Sequence, residues 1–159
     1  MSVAFTREED SEAAAADLPD RPISPHPNLV TAKGLALLDQ ALAQARAAYS
    51  AAQAGGDVSA DRTAMARATR DLRYYGARRA SAQLVEHDGV PETVRFGDTV
   101  TLDREDGRRQ VFRIVGEDEA DPTKGAVSYL SPLARALLGK TVGDVADVAG
   151  GEVEIVAVA

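Results

Sequence analysis

From Thr31 onward, apolar residues return at alternating steps of three and four: Leu35, Leu38, Leu42, Ala45, Tyr49 and Ala52. That spacing is a heptad seam and predicts a helix. Thr31 is placed to cap it, and Gly55 and Gly56 stop it. A second seam follows at Met65, Ala68, Leu72, Tyr75 and Ala82, with Arg79 interrupting it. Ser59 or Asp61 serves as its cap, and Gly76 weakens it by about 1 kcal/mol relative to alanine. Helices joined by so short a connection lie antiparallel. Residues 31–86 are therefore expected to form one antiparallel two-helix coiled coil whose tip reads "GGDVSAD".

Beyond a linker at 87–92, rich in Gly, Pro and charge, the period falls to two. "TVRFGDTVTLD" (93–103) and "RRQVFRIVG" (108–116) alternate around a turn at 105–107, and predict a hairpin. "EDEADPTKG" (117–125) reads as a charged loop and "AVSYL" (126–130) as a short strand. "SPLARALLGK" (131–140) reads as a short helix with Ser131 at the N-cap, Pro132 at N1 and Gly139 as the stop. Two further strands flank Gly150 and Gly151 in 144–159. The expectation is an α+β chain: the helical hairpin, then a small antiparallel sheet domain (93–159) with one short helix. Ahead of both lies a tail, residues 1–30. Pro19, Pro22, Pro25 and Pro27 keep its second half extended, and its acidic first 18 residues read as mobile.

Composition narrows the chemistry. The chain is 45% hydrophobic, yet much of that is alanine, with no Trp, three Phe and four Tyr. A core of Val, Leu and Ala is expected rather than an aromatic-lined pocket. The net charge is −7, which disfavours duplex DNA as the main partner because phosphates repel an acidic surface. There is no cysteine and there are two histidines, which excludes disulfides, thiolate metal sites and histidine-rich ones. No apolar run approaches the roughly 20 residues that span a bilayer, and "MSVAFTREED" lacks an apolar signal core. A cytoplasmic protein without a membrane partner is expected. It should be a monomer, since the two arms satisfy each other's seams.

Charge is uneven. Residues 61–85 hold six arginines against two aspartates, a local net of +4 that leaves −11 for the remainder. Arg62, Arg67, Arg70 and Arg73 lie along the second arm as candidate contacts to RNA or to acidic walls, since guanidinium suits bidentate phosphate binding. A solvated helix face is the plainer reading of the same stripe. Asp57 and Asp61 at the tip are candidate metal-binding carboxylates, or cap and turn residues, which aspartate fills without any catalysis.

Three segments in series, "VRFGDTVTL", "FRIVGEDEAD" and "SPLARALLGKTVGD", preceded by a helical hairpin, resemble the C-terminal domain of the Gre transcript-cleavage factors. The likeness covers about residues 92–158. The Thr31 to Gly34 step is similar to the opening of the family's first helix. The resemblance implies an FKBP-like C-terminal domain that grips RNA polymerase at its secondary channel, and a coiled coil that enters the channel. It further implies tip carboxylates, here Asp57 and Asp61, that lend oxygens to a Mg²⁺ ion shared with the polymerase active site. The chain would then be no enzyme of its own; the polymerase would cleave the 3′ end of the nascent RNA. Asp121, Ser131, Pro132 and Leu133 fall on polymerase-contacting positions. Three departures are visible. Ala60 stands where the family has Glu, and each arm is shorter by about a heptad, or about 10 Å of reach. Leu130 also replaces an acid or amide. The resemblance thus leaves open a cleavage-stimulating elongation factor and a regulator that only occupies the channel; an adaptor for another protein has no positive support. Prolyl isomerase activity, which an FKBP-like fold would suggest, is not expected, because it uses an aromatic-lined pocket and the few aromatics here are poorly placed for one.

Overall fold

The two seams fold as helices α1 (Ala32–Ala54) and α2 (Val58–Ser81). The computed structural model describes residues 18–55 and 58–159. These divide into two compact units, residues 18–26 with 37–81 and residues 27–36 with 82–159, so the division cuts α1 after its first turn.

In the helical unit, Leu38, Leu42, Ala45 and Ala52 of α1 and Ala68 of α2 are buried, as the seams require. Asp39 near the start of α1 pairs with Arg79 near the end of α2 at 2.5 Å, which fixes the helices as antiparallel. The seam of α2 drifts at its end. Arg78 is 2% exposed, whereas Arg79, placed in the seam by strict heptad counting, sits on the flank. A straight helix slips by about 20° per heptad against a 3.5-residue repeat, which suffices to exchange neighbours. The helix also stops at Ser81 rather than running to 86.

The reason lies in the second unit. Residues just beyond α2 form β2 (Gln83–Leu84), parallel to β1 (Leu29–Val30) at the end of the tail. The Gln83 amide donates to the Asn28 carbonyl at 2.8 Å, and that of Val85 to Val30 at 3.0 Å. Gly116 backs this ribbon: a Cβ there would stand 2.2 Å from the Leu29 carbonyl oxygen, so only glycine fits.

The main sheet comprises β3 (Thr99–Arg104), β4 (Arg109–Val115), β5 (Ala126–Ser128), β6 (Val145–Val148) and β7 (Gly151–Val158). Its order is β5-β4-β3-β7-β6. The β3–β4, β3–β7 and β6–β7 pairs are antiparallel, and β5 runs parallel to β4, which makes the sheet mixed. The predicted first strand starts late. Residues 95–98 make a turn instead, in which the Asp98 carboxylate accepts from the Arg95 amide at 2.8 Å and its guanidinium at 3.1 Å; Gly97 supplies the positive φ of 88°. Helix α3 (Pro132–Leu137) buries Ala134 and Leu137 against the sheet. With Val100, Leu102, Ile114, Val127, Val153, Ile155, Val94 and Phe96 they form the core, aliphatic as composition predicts.

Candidate functional site

The residues that the resemblance assigns to the polymerase contact flank strand β5, Asp121 before it and Ser131, Pro132 and Leu133 after it. At its entry Asp121 exchanges two backbone hydrogen bonds with Ala126, at 2.8 and 3.1 Å. At its exit the Ser131 amide donates to the Ser128 carbonyl at 2.9 Å. Asp121 caps the single 3₁₀ turn Pro122–Lys124, accepting from the Thr123 amide at 3.2 Å and from the Thr123 hydroxyl. That hydroxyl is the main influence holding the Asp121 carboxyl below its usual range, aided by the Thr123 and Lys124 amides and the Lys124 charge and opposed by partial desolvation. Ser131 caps α3 as predicted, its hydroxyl accepting from the Ala134 amide at 3.2 Å. Pro132 at N1 is exposed. Leu133 is half-buried, packed against the core. The turn and the helix are thus each held by a side-chain cap, with Pro132 exposed and the Asp121 side chain part-exposed.

The acidic loop leading into this region is less solvated than its composition suggests. The Glu119 carboxylate is 5% exposed. It accepts from the Thr31 hydroxyl and pairs with Arg113 at 3.3 Å. Thr31 in turn caps α1, accepting from the Gly34 amide at 3.0 Å. A Cβ at Gly34 would lie 2.8 Å from Glu119 Oε1. The Thr31–Gly34 step therefore does two things: it opens the helix and leaves room for a buried carboxylate.

At the tip, Asp57 lies outside the described residues, and Asp61 is placed by the backbone of the first turn of α2. No group of three or more His, Asp or Glu among the described residues could hold a metal ion. Arg62 and Arg67 are exposed farther along α2. Arg73 is exposed too but carries a partner, Asp20 of the tail, at 3.1 Å. The adjacent Arg21 pairs with Asp71 at 3.4 Å and stacks its guanidinium 3.8 Å above the Tyr74 ring. Sequence reasoning missed this tail-to-helix contact. Its one local signal was the Tyr74-Tyr75 pair beside a basic stripe, a surface that suits a guanidinium.

A cleft of about 560 Å³ opens in the sheet unit between the 85–91 segment, Arg95, Phe96 and Arg113. Phe96 is the only Phe, Tyr or Trp that lines it. Both arginines are engaged, Arg95 by Asp98 and Arg113 by Glu119. With one aromatic ring on its walls, it offers no aromatic cage.

Residues 89–159 match the family model described as "Transcription elongation factor, GreA/GreB, C-term". The transcription elongation factor GreA of Desulfovibrio desulfuricans is 42% identical over 93 residues, 57% of this chain and 56% of that protein. GreA of Hyphomonas neptunium is 58% identical over 59 residues, 35% of this chain and 36% of that protein. The chain thus spans about half, or less, of the length of the curated relatives it matches. Among solved structures, GreA factor homolog 1 (Gfh1) of Thermus thermophilus is 25% identical, covering 84% of this chain and 99% of that one with a TM-score of 0.39. The GreA/GreB factor of Nitrosomonas europaea is 22% identical, covering 84% and 98% with a TM-score of 0.39.

Proposed function

From the premise that the chain belongs to the Gre family through residues 89–159, we propose that it is a transcription elongation factor acting at the secondary channel of RNA polymerase. The family match of the sheet unit carries this reading. The pair of side-chain caps flanking β5 supports it, because a docking surface on hydrogen-bonded elements has less freedom to lose on binding. The sheet unit grips the channel rim with Asp121, Pro132 and Leu133, and Ser131 holds that loop. The coiled coil enters the channel. Its helices have 23 and 24 residues, about 35 Å each at 1.5 Å per residue. Arg62 and Arg67 face the transcript or the channel walls.

At the tip, Asp57 and Asp61 lend carboxylate oxygens to a Mg²⁺ ion that the polymerase holds. A hard cation of this kind accepts oxygen ligands and supports in-line displacement at phosphorus. This chain delivers the ligands; the hydrolytic chemistry is the polymerase's. One sequence feature favours a second reading, a regulator that occupies the channel without promoting cleavage: Ala60 replaces the family's second acid, and the next acid, Asp61, comes one position later in the sequence, a step worth about 100° along any helix.

Stalled complexes carrying backtracked RNA, matched polymerase and Mg²⁺ separate the two. Shortened 3′ ends that disappear with Asp57→Ala are the expected result. Binding without shortening assigns the channel-occupying role, and failure to bind polymerase refutes both.

A further inference from the structure

The arginine stripe of α2 is not open along its whole length. Residues 18–26 lie in the same compact unit as the helix, and the side chains of Arg21 and Asp20 hold them there. Arg21 is the anchor, with its guanidinium 3.8 Å from the Tyr74 ring centre, 5.1 Å from that of Tyr75, and 3.4 Å from the Asp71 carboxylate. Asp20 is the plug, with its carboxylate 3.1 Å from Arg73. Together with Leu18 it closes a cleft of about 220 Å³ whose other walls are Ala66, Thr69, Arg70 and Arg73.

One of those walls, Arg70, carries an unmet demand while the segment is in place. The Arg70 Nε is buried and has no hydrogen-bond partner among the described residues. A buried guanidinium N–H without an acceptor is costly, and an oxyanion seated between two arginines and a threonine hydroxyl would satisfy it. A carboxylate on Arg73 fills only part of such a site. A phosphodiester, like a carboxylate, brings two free oxygens on one centre that suit the guanidinium fork, and a strand that is not tethered to the tail can seat them between both arginines. Exposed ion pairs and cation–π contacts are individually weak, so the segment is displaceable.

We propose that residues 18–26 form a strap that masks an RNA-phosphate site on Arg70 and Arg73, with Asp20 standing in for the phosphate and Arg21 as the anchor. The strap sets how readily the free protein takes single-stranded RNA, and RNA offered at high local concentration displaces it. This rests on the reading of α2 as a transcript-facing helix, and gives that face a regulator.

The test is fluorescence anisotropy with a labelled oligouridine and the full chain at low salt. Asp20→Asn removes the plug and Arg21→Ala removes the anchor; each is expected to tighten binding about fivefold, the loss of one weak contact. The gain should vanish when Arg70→Ala and Arg73→Ala are added. Asp20→Asn changes a residue outside every helix and strand, so it leaves the fold intact, which far-ultraviolet circular dichroism checks. Unchanged affinity in both strap variants overturns the proposal, as does undetectable binding by every variant. Equal tightening toward polyglutamate also overturns it, assigning the cleft to an acidic protein surface. Polymerase capture reads the proposed function separately: a strap effect on RNA without polymerase binding sinks that function and leaves the strap standing.

Discussion

At the scale of single residues, short-range hydrogen bonds cap α1 and α3, while a pairing across most of the chain buries the Glu119 carboxylate. Ser131 and Thr31 bind amides three residues on, at Ala134 and Gly34, so type and position sufficed to predict both caps. Glu119 looked like one acid among several in a surface loop; its partner Thr31 is 88 positions away, and nothing local marks such a pairing. Asp121 offers a test by pH. Its carboxyl is held below the ordinary aspartate value of about 3.9, chiefly by the Thr123 hydroxyl. A depressed folded value means that its contribution is complete above the unfolded value and is lost as pH falls through the folded one. NMR titration should therefore show Asp121 protonating below the usual range, and Thr123→Val should move it back up. Titration at the usual value in the unmodified chain would refute the cap. Gly116→Ala should cost about 2–3 kcal/mol by urea denaturation, an overpacking penalty, because the added methyl meets the Leu29 carbonyl backbone. A neutral result would show that the β1–β2 ribbon yields at little cost.

Among elements, the helices were the clearest, since a repeat sustained over several turns outweighs local exceptions. Strands of two residues leave no period to read, which is why β1 and β2 were absorbed into the tail and the hairpin. The parallel setting of β5 was also hidden: direction depends on the path of residues 117–125, not on alternation within the strand. In the "FGD" run, Gly97 and the Asp98 side chain turned an apparent strand into a tight bend. Gly76 remains a plain defect in α2, since a Cβ added there would meet nothing within 4 Å. Gly76→Ala should stabilise the chain by about 0.5–1 kcal/mol, seen as a higher thermal midpoint. A lower midpoint would mean that the glycine serves a bend or a close approach not evident in the helix.

The whole molecule is an acidic chain with a basic helix face, and its proposed partner is RNA polymerase. The net charge of −7 argues that specific surfaces, not bulk attraction, must do the binding, so affinity for polymerase should survive moderate salt better than oligouridine binding does. A titration showing equal salt dependence for both would point to nonspecific charge. The central claim is that the loop between α1 and α2 enters a polymerase pore while the sheet unit holds its rim. Photocrosslinkers at Gly55 and at Pro132, in chains bound to matched polymerase, test it most directly. The account predicts Gly55 crosslinks to segments lining the secondary channel near the active centre, and Pro132 crosslinks at the outer rim. Polymerase binding with Gly55 crosslinked only to the outer surface would contradict it.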